Sequence, residues 1–94
     1  MKSDLPSSKP DLYVVARIVK ALRDEGPTRR TQLALTTGLS YDSLVRYLGW
    51  MGERGFVVLD ADDKVVLTSE GVEAYDRLVR WILEYVGKLK FPRF

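Results

Sequence analysis

Within the run GLSYDSLVRYLGWMGERG (residues 38–55), Ser40, Ser43 and Arg46 stand three residues apart. On a helix this spacing makes them neighbours along one side. Short hydroxyl side chains let a helix backbone come close to another surface, and an arginine beyond them can reach a guanine edge or a phosphate. Tyr47 adds a phenolic donor for phosphate. A second group, Arg29-Arg30 with Thr31 and Gln32, places two guanidinium groups where a short helix should begin. The free N–H groups of a helix start attract phosphate as well. This is the chemistry of gripping an anionic polymer. The same residues would equally serve as a helix cap, for Ser40, and as a solvated face with an exposed charge pair for the others.

Other chemistry is closed off by composition. The 94 residues include no cysteine and no histidine, which removes disulfides, thiolate or imidazole metal sites, Cys/His nucleophile pairs and histidine acid–base catalysis. No Gly-rich phosphate loop follows a strand and no motif places a carboxylate pair, so an enzyme is the weakest class and neither metal nor cofactor is expected. The start, MKSDLPSSKP, lacks the apolar run of a signal peptide. An intracellular protein is expected. Net charge is only +2, but its distribution is uneven: residues 1–30 carry seven Lys/Arg against four Asp/Glu, and residues 56–70 carry one against four.

These groups need elements to hold them. Residues 1–9 read as an arm. Ser8 with Asp11 resembles a capping box, Pro10 suits a first turn, and Leu12, Val15, Ile18, Val19 and Leu22 recur at helical spacing until Gly26-Pro27, which gives a helix over about 10–25. Thr28 is positioned to cap a second helix, about 29–37, with Leu33 and Leu35 facing inward and Gly38 closing it. Ser40 caps a third, about 41–54. Two short helices around a tight glycine turn make a helix-turn-helix pattern. The runs FVVLD and KVVLT, separated by Ala61-Asp62-Asp63, then predict a β-hairpin, and Thr68 opens a last helix to about Lys88. The fold expected is mostly α with a small β-hairpin: a mobile arm (1–9), a winged helix-turn-helix domain (10–68), and a long C-terminal dimerisation helix with its tail (69–94).

At 100° per residue, centring the third helix on Leu48 turns Tyr41, Leu44, Val45, Met51, Gly52 and Gly55 inward and Ser43, Arg46, Trp50 and Glu53 outward, with Asp42, Tyr47 and Gly49 on the flanks. Each helical glycine costs roughly 1 kcal/mol relative to alanine. A close approach of the first or last helix at Gly52 is the expected compensation. Asp42 reads as a first-turn carboxylate favoured by the helix dipole, or else as a cytosine reader. A Trp50 facing outward covers a partner or the root of the hairpin. In the hairpin, Asp60, Asp62 and Asp63 outnumber Lys64, so its tip should be repelled by nucleic acid.

In the last helix, Val72, Tyr75, Val79, Ile82, Val86 and Leu89 follow the three–four rhythm of a coiled coil, and Leu78, Trp81 and Tyr85 widen the stripe. A second copy of the chain is the simplest cover for it; folding back along the first helix is the other solution.

The run RTQLALTTGLSYDSLVRYLGWM, with LSY at 39–41, RYL at 46–48, the GF turn into the hairpin and LT..G at 67–71, resembles an archaeal winged-helix family of small dimeric chromatin-associated DNA-binding proteins. The likeness covers about residues 12–89. It implies double-stranded DNA bound through the helix-turn-helix and pairing through the last helix. It further implies that Ser40, Tyr41, Arg46 and Tyr47 face or support the DNA surface, with Arg30-Thr31 starting the second helix. The last helix here is shorter and more aromatic than that pattern, and the wing tip more acidic. Two functions are carried forward: a transcription regulator or chromatin component on duplex DNA, and a winged-helix module that binds protein instead.

Overall fold

The computed structural model describes residues 10–89, with side chains as far as Val86. The element order is α1 (Leu12–Glu25), α2 (Arg30–Thr37), α3 (Tyr41–Glu53), β1 (Val57–Leu59), β2 (Val65–Leu67) and α4 (Ser69–Leu89). The proposed arm, 1–9, with the Ser8 cap, lies outside the described residues. Asp11 caps α1 instead, its carboxylate accepting from the Tyr13 amide at 2.9 Å.

Apolar spacing builds the core. Val15, Ile18, Val19 and Leu22 of α1 meet Leu33 and Ala34 of α2, Leu44 and Met51 of α3, and Val57 and Val65 of the hairpin. Ile18, Leu33, Leu44, Met51 and Val65 are fully buried, each worth roughly 1.5–3 kcal/mol. Leu35 is exposed, contrary to expectation, because α2 is short and turns only Leu33, Ala34 and Thr37 inward. Gly38 closes α2 in the left-handed region, φ 75°, its amide 2.9 Å from the Ala34 carbonyl. The Arg17 guanidinium donates to the Thr37 carbonyl at that same end, where a cation is favoured.

The strands are shorter than the β-branched runs. They pair antiparallel in the register Val57↔Leu67, Val58↔Val66 and Leu59↔Val65. Thr28 does not cap α2. It is buried, its hydroxyl donates to the Gly26 carbonyl at 2.7 Å, and its backbone pairs with Val65 on the free side of β2. Arg29 takes the cap position with no side-chain bond to α2.

Where the hairpin passes into α4 there is no slack. Thr68 Oγ1 accepts from the Gly71 amide at 3.0 Å and donates to the Gly55 carbonyl at 2.6 Å. A Cβ on Gly71 would collide with the Phe56 carbonyl and lie 2.9 Å from a Leu67 methyl. Beyond this root, Val72, Tyr75, Leu78 and Val79 are half-buried against the domain, Tyr75 packing on the core. Arg23 of α1 holds Asp76 at 3.1 Å, an exposed pair worth at most about 1 kcal/mol. From Arg80 to Val86 every side chain is exposed. Among the described residues no helix is long and apolar enough to cross a membrane.

Candidate nucleic-acid interface

α3 begins as its sequence dictates. Ser40 Oγ accepts from the Ser43 amide at 3.1 Å, the Ser40 carbonyl takes the Leu44 amide at 2.9 Å, and Asp42 lies in the positive first turn. Its rotation differs from the expected one. Tyr41 and Val45 are exposed and Leu48 only half-buried, while Ser43, Tyr47 and Trp50 are half-buried. The buried line runs through Leu44 and Met51, so the helix is turned about 60° from a face centred on Leu48. Tyr47 and Trp50 supply the reason, because both bury a ring and keep a polar edge. The Tyr47 hydroxyl accepts from the Asp11 amide at 3.0 Å and ties α3 to the start of α1. Trp50 meets Phe56 edge-on at 6.1 Å and carries the Arg54 guanidinium 4.3 Å over its ring. Trp50 therefore covers the root of the hairpin.

The solvent side of α3 is then Tyr41, Asp42, Val45, Arg46, Gly49, Gly52 and Glu53. Arg46 projects outward as expected; Ser43 and Tyr47 leave that face. Neither glycine is crowded by α1 or α4. A Cβ at Gly49 would meet nothing within 4 Å, and one at Gly52 would make an ordinary 3.9 Å contact with the Val57 carbonyl. Their bareness opens a groove of about 310 Å³ between α3 and β1, walled by Val45, Leu48 and the glycines on one side and Val58 and Leu59 on the other, with Arg30 also lining it.

The basic cluster does not act as one. Arg29 donates to the Asp62 carbonyl at 3.2 Å, Arg30 is half-buried at the groove, and Thr31 and Gln32 are exposed, Gln32 donating to Thr36 at 3.3 Å. The acidic wing tip is organised by Asp60. Its Oδ1 accepts from the Lys64 amide at 3.0 Å and the Asp62 amide at 2.8 Å. Chiefly through the Lys64 amide, and against desolvation, its carboxyl is held below the usual carboxylate value; the Asp62 amide and the charges of Lys64 and Arg29 add to this. Asp63 sits at φ 67°, completing the turn. Lys64 and Arg29 thus face the Asp60 carboxylate as well as any outside anion. Sequence reasoning missed the groove. Its one signal was the row Val45, Gly49, Gly52, spaced four and three apart.

At the far end of α4, Trp81, Leu83 and Tyr85 are 60%, 66% and 53% exposed, and the Trp81 and Tyr85 rings stack at 5.3 Å. Ile82 and Val86 are exposed beside them. Leu89 lies outside the residues whose side chains are described. Tyr75, Leu78 and Val79, expected on the same surface, are half covered by the chain itself.

Comparison with known proteins bears on this geometry. The family described as winged helix-turn-helix matches residues 11–85. No protein of curated function matches the chain. Among solved structures it is similar to the MarR family transcriptional regulator SPO1453 from Silicibacter pomeroyi DSS-3, with 25% identity and a TM-score of 0.63. The likeness covers 81% of this chain and 57% of that one, so the chain spans little more than half the length of its neighbour.

Proposed function

The chain belongs to the winged helix-turn-helix family, and from that premise we propose that it is a non-catalytic regulator of transcription or chromatin that binds double-stranded DNA with α3 in the major groove. One observation carries the reading: a capped helix with an open outer face presents Arg46 to solvent, and Arg30 lines the groove along that helix. The solved neighbour is itself described as a transcriptional regulator, which supports the same direction. The protein acts in the cell on the nucleoid, as the resemblance to small chromatin-associated proteins suggests.

A gel-shift titration over a range of salt tests it. Replacing Arg29 and Arg30 together by Ala should weaken duplex binding and lower the slope of log K against log salt by about 0.9 for each phosphate that is no longer neutralised. Unchanged affinity and slope in that variant and in Arg46→Ala would remove the assignment. Selection from random duplexes separates a gene-specific regulator, which enriches one sequence, from a general coating protein, which does not.

The finer reading is a homodimer formed through the outer half of α4. Trp81, Ile82, Leu83, Tyr85 and Val86 stand in water, and covering side chains of this kind is worth roughly 1.5–3 kcal/mol each. Light scattering should give twice the chain mass of 10.7 kDa. A monomer persisting at tens of micromolar would defeat it. The groove and the acidic wing favour a second reading, a module that binds another polypeptide; failure to bind any duplex at low salt would bring it forward.

A further inference from the structure

The outer side of α3 divides lengthwise into two rows. Tyr41, Val45, Gly49 and Gly52 form one, with the Tyr41 hydroxyl as its single polar side-chain group, and Asp42, Arg46 and Glu53 form the other. Val45 is 38% exposed, and the groove extends its row to Leu59 across the gap. Among the described residues nothing requires the backbone to be bare here, since a Cβ at Gly49 would stand in open space and one at Gly52 in ordinary contact. Glycine weakens a helix, so the gain from that bareness lies outside the molecule. Arg30 lines the same groove and Arg46 adjoins the row, which places cations beside an apolar strip, the complement of a polyanion that carries an apolar projection. A duplex has one such projection in its major groove, the 5-methyl group of thymine.

We propose that Val45, with room made by Gly49, makes an apolar contact with a pyrimidine 5-methyl group in the major groove and so gives the protein a preference for thymine at that position. This rests on the DNA-binding reading above.

The test compares a duplex of A·T pairs with the same duplex in which every thymine is replaced by deoxyuridine, titrated against the full chain by gel shift. Removing each methyl that the protein touches should weaken binding about fourfold. In Val45→Ala, an exposed substitution that leaves the core intact, the ratio between the two duplexes should fall toward one, which a general difference in duplex stiffness would not produce. Equal affinity of the unmodified protein for both duplexes overturns the proposal and leaves the DNA reading standing. Binding to neither duplex at low salt overturns both. A preference that survives Val45→Ala overturns the assignment to that residue.

Discussion

Gly71 at the root of α4 and Gly49 on the outer face of α3 both lack a side chain, but their surroundings are opposite. At Gly71 a Cβ would run into the Phe56 carbonyl, and Thr68 next to it is bonded to both the Gly71 amide and the Gly55 carbonyl. At Gly49 a Cβ would meet nothing within 4 Å. The first region is closed around its own backbone, and the second stands open along a groove. A glycine of the first kind is demanded by the fold. A glycine of the second kind is a concession the fold could do without, which directs attention to what lies beyond the surface.

Two substitutions sharpen this contrast, the larger first. Gly71→Ala should destabilise by about 3 kcal/mol or more, since backbone rather than a flexible side chain stands in the way, and lower the thermal midpoint by roughly 15 °C. A midpoint within a few degrees of the unmodified protein would show that the junction is looser than its geometry. Gly49→Ala should do the reverse, stabilising by roughly 1 kcal/mol through better helix propensity and raising the midpoint by about 4–8 °C. The same variant should bind duplex DNA more weakly. Gain of stability with undiminished binding would separate the groove from function; loss of stability would reveal an internal contact at Gly49.

Much of the architecture could be read from local signals. The change from helical to alternating period after Gly55, the Ser40 and Thr68 caps and the glycine at Gly38 act over a few residues and were legible as such. What failed was orientation. Periodicity counts every apolar residue as core, so Tyr41 and Val45 drew the buried face of α3 toward themselves, whereas the packing chose the rings of Tyr47 and Trp50 and left those two in solvent. The same error buried Leu35. Thr28 was misread because its partner, Val65, is distant in sequence and close only after the hairpin has docked. In the candidate interface, Arg46 was placed correctly on the outer side, while the grouping of Arg29 with Arg30 concealed that one turns to the wing and the other to the groove. The reason for a helical glycine depends on which atoms lie opposite it, and no spacing rule supplies that.

The pairing of Thr28 with Val65 has a mechanical outcome. Two backbone bonds, at 3.1 and 2.8 Å, stitch the connection between α1 and α2 into the base of the hairpin, and the next residue, Arg29, grips the tip through the Asp62 carbonyl. Held at both places, the hairpin is joined at its base and at its tip to the two residues that precede α2. Whatever docks against this side therefore meets the hairpin and the entry to α2 as one bonded surface.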